Sequence, residues 1–280
     1  MTTSLPSIAI LGAGSMGGAI LAGLVADRSA TSLTATNRSR AKAEAAAADG
    51  VRSIALEDEP GGNASAAAEA DVVVVGVKPY MIADLLTEIG PSLRPGTIVV
   101  SLAVGTTCAA MEALLPESVA VARAMPNTPS HVGRGVTGVA GGSRATAEQV
   151  ALAASVFEVV GEVLVVEEAQ IDALSTISGS GPAYVFLLIE QLTGAAERMG
   201  FTPEQAATMV QETFAGASAL LADAKEREPG IEPAELRRRV TSPRGTTERA
   251  VEVLQDAGLG AIFDRATAAA AARAAEIAAE

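Results

Sequence analysis

Short, almost uninterrupted runs of β-branched residues alternate with alanine-rich segments over residues 7–166. A run such as DVVVVGV at 71–77 is typical of a parallel strand that helices cover on both faces. The pattern therefore predicts a doubly wound (Rossmann) α/β domain over residues 1–166. Five strands, followed by two edge or extra strands, are predicted at Ser7–Leu11, Ser32–Asn37, Asp71–Val77, Thr97–Ala103, Ser118–Ala124, Val136–Ala140 and Glu162–Val166.

Strand patterns disappear after about residue 168, and helical segments separated by glycines take their place. This change predicts a second, all-helical domain over residues 167–280. The segment PAYVFLLIEQL at 182–192 is apolar nearly all round, so either its own domain or a partner subunit should bury it on several sides. Helices are predicted at Gln170–Ile177, Pro182–Met199, Pro203–Arg227, Pro233–Val240, Thr246–Ala257 and Ala261–Ala279.

The composition excludes several classes of function. The net charge of −13 makes binding to nucleic acid or to an anionic membrane surface unfavourable. Cys108 is the only cysteine and His131 the only histidine, so neither a disulfide within the chain nor a Cys/His metal cluster can form. We expect no metal, and the chemistry must use hydroxyls, backbone amides, lysine, carboxylates or a bound cofactor.

The N-terminal stretch MTTSLPSIAILGAGSMGG carries no basic segment, and glycines soon interrupt its apolar run. It therefore resembles neither a signal peptide nor a membrane span. We expect a cytoplasmic protein.

A glycine-rich turn follows the first predicted strand. Gly12, Gly14 and Gly17 form a GxGxxG pattern between the strand SIAIL and the helix MGGAILAGLV. Glycines let the backbone approach a pyrophosphate, and the start of the helix supplies amide donors with a partial positive charge. This context favours dinucleotide binding over a turn that merely packs a strand against a helix.

The end of the second strand bears on which dinucleotide is bound. An acid here would hold the ribose 2′-hydroxyl of NAD(H), but the chain reads TNRSR at 36–40. Asn37, Arg38, Ser39 and Arg40 can all donate hydrogen bonds to a 2′-phosphate. NADP(H) is therefore the preferred cofactor and NAD(H) a possible one; the alternative interpretation of these residues is an ordinary helix cap with surface arginines.

Three further turns end predicted strands, at GVKP (76–79), LAVG (102–105) and RAMPNTP (123–129). Ligands of open parallel sheets lie beyond the carboxyl ends of the strands, so these turns should face the nicotinamide half of the cofactor. Lys78 is more simply a source of charge than a proton donor. His131 is more simply a solvated loop residue than a general acid.

The motifs GAGSMG, VKP at 77–79, RAMPNTP, SGSGPAY at 178–184 and VTSPRGTT at 240–247 occur in order over nearly the whole chain. In this combination the chain resembles the pyrroline-5-carboxylate reductases. The resemblance implies reduction of L-1-pyrroline-5-carboxylate to L-proline by hydride from NAD(P)H, the last step of proline biosynthesis. It also implies a homodimer formed through the C-terminal helical domain, with possible assembly into a decamer of five dimers.

The resemblance also implies site residues. The substrate set lies in the helical domain, across the dimer interface, and comprises Val240, Ser242, Gly245, Thr246 and Thr247. With Arg38 from the strand-end argument, the cofactor set comprises Gly12, Gly14, Ser15, Met16, Asn37, Arg38, Asn63, Val77, Lys78, Pro79, Ala103 and Asn127. Arg244 departs from the family pattern, which has glycine there, and it would be strained if the position requires a positive φ.

The turn SPRGTT at 242–247 holds no general acid or base, yet its parts suit a cyclic imine. Ser242 before Pro243 is a helix N-cap signal, and Gly245 and Thr246 would offer backbone amides to a carboxylate. The Thr247 hydroxyl, the candidate catalytic group, could donate to the ring nitrogen. Without the resemblance, a simple helix cap would explain the turn equally well.

Two other classes of protein fit part of the sequence. A β-hydroxyacid dehydrogenase or a general imine reductase would share the first domain, but the hydroxyacid enzymes need a lysine on the first interdomain helix and residues 169–200 contain none. A non-enzymatic NADP(H) sensor with a vestigial site is the second alternative. The intact SGSGPAY and SPRGTT motifs count against it.

Overall fold

A computed structural model describes residues 4–279, so the first three residues of the stretch examined for a leader lie outside the described part. Eight strands form one sheet in the order β3-β2-β1-β4-β5-β6-β7-β8. Strands β1 to β6 run parallel, β7 is antiparallel to β6, and β8 is parallel to β7. The strands are β1 Leu5–Leu11, β2 Ala30–Asn37, β3 Val51–Ala55, β4 Val72–Val75, β5 Ile98–Ser101, β6 Ala120–Met125, β7 Gly135–Gly141 and β8 Gly161–Val165.

This architecture confirms the predicted doubly wound sheet and its two extra strands. The strand β3, which the sequence analysis did not predict, lies at the edge of the sheet beside β2. Of its five residues only Ile54 is buried, so it lacks the continuous apolar run that marks the central strands.

Both faces of the sheet are buried. Because successive side chains of a strand point to opposite faces, each central strand contributes to two hydrophobic cores. Along β1, Ile8 and Ile10 pack into one core, and Ala9 and Leu11 pack into the other. Each large aliphatic side chain that is fully buried in this way contributes about 1.5–3 kcal/mol of apolar transfer free energy. The apolar runs of the sequence are therefore explained by a sheet with two cores.

Twelve α-helices and four short 3₁₀ or π-helical segments complete the described chain. The six helices predicted after residue 168 each begin within two residues of their predicted starts. The twelve α-helices are α1 Ser15–Asp27, α2 Arg40–Ala45, α3 Gly62–Glu69, α4 Ile82–Ile89, α5 Cys108–Glu112, α6 Ala147–Glu158, α7 Glu168–Leu174, α8 Gly181–Arg198, α9 Pro203–Arg227, α10 Pro233–Arg239, α11 Thr246–Asp256 and α12 Leu259–Ala279.

Two predicted helix boundaries are wrong for identifiable reasons. The first helix of the C-terminal half ends at Leu174, and a π-helical turn over Ser175–Gly179 follows it where the prediction continued to Ile177. The last helix begins at Leu259. The left-handed conformation of Gly258 (φ 70°) separates it from the preceding helix, whereas Gly260 lies inside its first turn.

The chain forms two compact units, the first made of residues up to Ser180 together with those from Ala270, and the second of Gly181–Ala269. In the first unit, α7 packs on β6 and β7. The predicted boundary between residues 166 and 167 precedes α7 and stays a prediction.

The second unit is entirely helical. Its helices α8 and α9 pack together, and the rings of Tyr184 and Phe263 lie 6.2 Å apart. A capping box of Thr202 and Gln205 begins α9. Within the described residues, no helix combines the length and apolarity needed to cross a membrane.

Candidate active site

The glycine-rich turn joins β1 to α1 and requires its glycines. Gly12 has φ +86°, and a Cβ at this position would lie 2.9 Å from Cγ1 of Val77. A Cβ on Gly17 would lie 2.8 Å from the carbonyl oxygen of Gly12. At Gly14, by contrast, no heavy atom lies within 4 Å of the Cβ position, so this side of the turn is open to a ligand.

The helix α1 begins at Ser15 with Gly14 as its N-cap, which makes no side-chain capping bond. The amides of the first turn, including those of Ser15 and Met16, have no acceptor within the helix itself. The first turn also carries no acidic residue. An open helix start of this kind attracts an anionic phosphate.

A series of hydrogen bonds through the buried side chains of Thr36 and Asn63 supports the glycine-rich turn. The amides of Gly12 and Ala13 donate to the carbonyl oxygen of Thr36 at 3.1 and 3.0 Å. The Thr36 hydroxyl donates to Oδ1 of Asn63 at 2.8 Å, and Nδ2 of Asn63 donates to Glu88 at 3.4 Å. Asn63 therefore holds the turn through Thr36, while its predicted contact with the cofactor stays a prediction.

The end of β2 presents an unsatisfied donor. Asn37 is 3% exposed, and its Nδ2 atom is buried without a hydrogen-bond partner. Such a group costs free energy until a ligand or water satisfies it. Arg38 is exposed, and no ion pair to its guanidinium occurs within residues 4–279.

Arg40, the other predicted arginine, is already engaged. It binds both carboxylate oxygens of Asp58, at 3.0 and 2.5 Å, and this hydrogen bonding holds the pKa of Asp58 below its usual value. Ser39 occupies the N-cap position of α2, but its side chain makes no capping bond. Of the four predicted donors, Asn37 and Arg38 are thus the best available to a 2′-phosphate.

The turns after β4 and β5 follow the carboxyl ends of their strands, as the glycine-rich turn does after β1. A Cβ on Gly76 would lie 2.7 Å from the carbonyl oxygen of Gly12, so the two turns are in close contact. Val77 is partly buried there, and Lys78 and Pro79 are exposed. Ala103, after β5, is buried and donates its amide to Oγ of Ser101 at 3.2 Å.

Asn127 links three segments of the first unit. Its Oδ1 accepts from the amide of Val136 at 2.8 Å, and its Nδ2 donates to the carbonyl oxygen of Ser178 at 2.9 Å. The side chain therefore joins the turn after β6 to β7 and to the SGSG segment. Its predicted role in cofactor binding stays a prediction beside this observed structural one.

A cluster of ion pairs around a buried arginine of the same motif has no local sequence pattern that could have predicted it. Arg123 is 3% exposed, and it binds Glu168 at 3.4 Å and Asp172 at 2.9 Å on α7. Glu168 also accepts from the amide of Cys108 at 2.7 Å. Burial raises the pKa of the Cys108 thiol to about 12, so this group is an unreactive core side chain.

His131 lies in a 3₁₀ turn, Thr128–Val132, between β6 and β7. Its ring is exposed, as predicted, but Nε2 lies 3.2 Å from Oγ of Ser15 at the start of α1. A solvated loop residue is therefore an incomplete description of this histidine. Over residues 4–279, no group of three or more Cys, His, Asp or Glu residues could hold a metal ion.

The predicted substrate turn lies in the second unit. The N-cap of α11 is Gly245, and Ser242 is not the cap that the sequence indicated. The amide of Gly245 donates to the carbonyl oxygen of Ser242 at 3.0 Å and closes the turn. The amides of Thr246, Thr247 and Glu248, in the first turn of α11, have no acceptor inside the helix, because the first helical bond runs from the amide of Arg249 to Gly245.

The remaining members of the predicted substrate set surround this helix start. Thr246 and Thr247 are exposed, as are Ser242 and Val240. A Cβ on Gly245 would lie 2.9 Å from the backbone carbonyl oxygen of Ser242, so this position requires glycine for space. The turn therefore presents the three hydroxyl groups of Ser242, Thr246 and Thr247 together with the first amides of α11 on one short segment.

Arg244 has φ 60°, so the condition for strain at this position is met. Its amide donates to the carboxylate of Glu248 at 2.7 Å. The chain thus has an arginine at a position where the backbone conformation favours glycine. The Glu248 side chain, from the helix that follows, binds the backbone amide of this arginine.

Two arginines just before the turn form ion pairs on an exposed helical face. Arg238 and Arg239 both bind Glu235, and Arg239 also binds Glu228. The hydrogen bonds from Arg238 and Arg239 to Glu235, of which the bond from Arg238 has the larger effect, lower the pKa of Glu235 to about 2.

Two family models match the chain. One, described as pyrroline-5-carboxylate reductase dimerisation, covers residues 168–277. The other, described as NADP oxidoreductase coenzyme F420-dependent, covers residues 7–105.

Several known proteins are similar over nearly the full length. The chain is 38% identical to a pyrroline-5-carboxylate reductase of Pseudomonas aeruginosa over 276 residues, which cover 98% of each chain. A solved pyrroline-5-carboxylate reductase of Coxiella burnetii has a TM-score of 0.87 and 37% identity, covering 99% of this chain and 98% of its own. A Plasmodium falciparum pyrroline carboxylate reductase, solved with NADP bound, shares the fold at a TM-score of 0.80 and 22% identity, covering 99% of each chain.

Proposed function

Because the chain belongs to the pyrroline-5-carboxylate reductase family, we propose that its glycine-rich turn holds NADP(H) and its SPRGTT turn holds the substrate. The reaction is the reduction of L-1-pyrroline-5-carboxylate to L-proline with NAD(P)H. The observation that carries the substrate assignment is the open start of α11, where Thr246 and Thr247 expose hydroxyls beside unengaged amides.

The residues at the carboxyl ends of the parallel strands fit a dinucleotide. The first amides of α1, the open side of Gly14 and the positive φ of Gly12 suit a pyrophosphate. When bound, the cofactor supplies a hydride to the carbon of the substrate C=N bond. Val77, Lys78, Pro79 and Ala103 follow these strand ends and complete the proposed cofactor set with Met16, Asn63 and Asn127.

NADP(H) is the preferred form in this proposal. The unpartnered Nδ2 of Asn37 and the exposed guanidinium of Arg38 are donors at the end of β2, a strand that carries no acidic residue of its own. The carboxylate of Glu57, close to them, already accepts from the amide of Arg40 at 2.6 Å. The nearby Asp58 is neutralised by Arg40. A 2′-phosphate would satisfy the buried amide and meet a free cation.

The substrate carboxylate is assigned to the amides of Thr246 and Thr247, with the Ser242 hydroxyl as a further donor. The amide of Gly245 is not part of this grip, because it already donates to Ser242. An N-terminal helix turn binds a carboxylate without a cation. Holding the ring in one orientation makes the hydride step effectively unimolecular, an effect of about 7–11 kcal/mol in favourable cases.

The proton balance of the reaction is simple. The ring nitrogen is protonated in the reactive iminium form, the ring carbon gains a hydride, and the C=N bond becomes the C–N bond of a secondary amine. The chain need only orient this nitrogen. We assign that role to the Thr247 hydroxyl, which can donate to or accept from it.

A spectrophotometric assay of NADPH and NADH oxidation tests the reaction. We expect turnover with L-1-pyrroline-5-carboxylate and less with its six-membered analogue. If neither NADPH nor NADH supports turnover, a non-enzymatic cofactor-binding protein is favoured instead.

Substitution Thr247→Ala tests the substrate assignment. The expected result is a loss of about 10- to 100-fold in kcat/KM, in the range of a lost hydrogen bond to a charged group. Thr87→Ala is the matched control, since the exposed Thr87 hydroxyl only donates to the carbonyl oxygen of Ala83 in α4. An unchanged kcat/KM for Thr247→Ala would remove the residue from the mechanism.

Homo-oligomerisation follows from the dimerisation model that matches the helical half. The apolar helix α8 supports it, because Phe186 is 66% and Leu187 54% exposed in a single chain. The decamer of five dimers is proposed as the further assembly, and light scattering during size-exclusion chromatography measures it. A cytoplasmic location is proposed with it, since that compartment supplies reduced nicotinamide cofactor.

A further inference from the structure

The only histidine of the chain touches the phosphate end of the proposed cofactor site. Nε2 of His131 lies 3.2 Å from Oγ of Ser15, the first residue of α1. The turn that carries His131 packs against α1 and β7. The contact therefore joins the segment after β6 to the glycine-rich turn.

The presence of a hydrogen on Nε2 sets the direction of this hydrogen bond. The protonated ring of His131 always carries a hydrogen there, whereas the neutral ring does so in only one of its two tautomers. A hydroxyl has one hydrogen to donate and two lone pairs that accept. If Nε2 carries no hydrogen, the Ser15 hydroxyl donates to it and is lost to a ligand. If Nε2 carries a hydrogen, it donates to Oγ, and the hydroxyl hydrogen is free to point at a phosphate oxygen.

Few charges compete with that effect. The helix α1 carries a single charged side chain, Asp27, at its far end, and β7 carries none. The nearest charged residue in sequence is Arg134, two residues beyond the 3₁₀ turn and exposed. A protonated His131 would therefore act with the amides of α1 in attracting an anion.

We infer that His131 is a cofactor-positioning residue, which turns the Ser15 hydroxyl toward the pyrophosphate and adds positive charge beside it when protonated. This inference rests on the proposed dinucleotide site. It predicts that the cofactor binds more tightly as the pH falls through the titration of this one side chain.

Equilibrium binding of NADH by wild-type protein without a histidine tag tests the inference. NADH is the probe because the 2′-phosphate of NADPH itself titrates near about pH 6. We expect Kd to fall about tenfold between pH 8.5 and pH 6, the worth of one hydrogen bond to a charged group. In His131→Gln, which keeps a donor to Ser15 without the charge, Kd should be independent of pH.

Proton NMR gives a second readout that needs no turnover. The chain has a single histidine, so its ring signals are assigned without ambiguity. Saturating NADH should move the titration curve of these signals to higher pH in wild type and less in Ser15→Ala.

Two outcomes separate the inference from the proposed function. Tight NADH binding with no dependence on pH, and a histidine titration that NADH does not move, would overturn the role of His131 alone. Failure of wild type to bind either NADH or NADPH at any pH would overturn the dinucleotide site itself.

Discussion

The backbone amide of Arg244 donates to the carboxylate of Glu248 across 2.7 Å, and it does so from a left-handed conformation with φ 60°. Within residues 4–279 the only other non-glycine residue with positive φ is Arg28, which ends α1. In the left-handed region an L-residue costs roughly 1–2 kcal/mol, so the bond to Glu248 offsets part of this strain. The start of α11 is therefore fixed by an interaction that a glycine would not need.

Arg244→Gly should stabilise the protein by about 0.5–1 kcal/mol, because relief of strain exceeds the backbone entropy cost of glycine. Thermal unfolding measures the change. Arg28→Gly is the matched control, since Arg28 is exposed with φ 58° and lies far from the turn in sequence. If Arg244→Gly lowers Tm while Arg28→Gly raises it, then the arginine side chain itself stabilises the turn.

Glu235 should make stability depend on pH at acidic values. Its pKa is about 2 in the folded protein, against an ordinary 4.5, because Arg238 and Arg239 bind it. A depressed pKa contributes stability above about pH 4.5, and this contribution is lost as the pH falls toward 2. We expect Glu235→Gln to have a lower Tm than wild type at pH 7 and an equal Tm near pH 2.

The control for this prediction is Glu226→Gln, at an exposed position on α9 where no ion pair occurs among the described residues. High salt should also reduce the difference between wild type and Glu235→Gln, because the pairs are exposed. A Tm difference that persists unchanged at pH 2 would assign the effect to helix propensity instead.

Thr36→Val should destabilise the protein and weaken cofactor binding together. The substitution keeps the shape but removes the donor to Asn63, which leaves a buried acceptor unsatisfied at a cost of about 1–3 kcal/mol. Urea unfolding and the Kd for NADPH are the measurements. Thr34→Val, on the same strand, makes a similar change two residues away and should have a smaller effect on both.

Asn37→Asp should reverse the cofactor preference. A carboxylate at the end of β2 would repel a 2′-phosphate, and two such charges at 4 Å repel each other by about 1–4 kcal/mol, which corresponds to at least a roughly fivefold change. The ratio of kcat/KM for NADPH and NADH measures it. Asn37→Ala removes the donor without adding charge, and an equal ratio in the two variants would show that charge is not the cause.

The sequence predicted those parts of the fold that depend on local pattern. The run Val72–Val75 marks a central strand because all four side chains are buried, and the glycine-rich turn is recognisable because its spacing reflects close backbone contacts. The strand Val51–Ala55 has no such pattern, since only Ile54 of its five residues is buried. Local signals therefore describe the centre of the sheet better than its edge.

The supporting interactions of the site could not be predicted because their partners are distant in sequence. Thr36 and Asn63 are 27 positions apart, and Arg123 and Asp172 are 49 apart. Ser242 was misjudged for a different reason. Ser-Pro is a common capping signal, but Arg244 turns the chain left-handed and moves the start of α11 to Gly245 and Thr246.

The reversal of direction between β6 and β7 has a consequence for how this protein can vary. Parallel neighbours need a crossover helix, whereas an antiparallel pair needs only a short turn. Residues 126–134 therefore cross the rim of the sheet in a short connection that buries Asn127 and Ser130 and exposes His131, whose ring contacts Ser15 at the start of α1. Substitutions at its exposed positions can tune cofactor affinity while every helix and strand stays in place, which makes these positions natural targets for laboratory evolution.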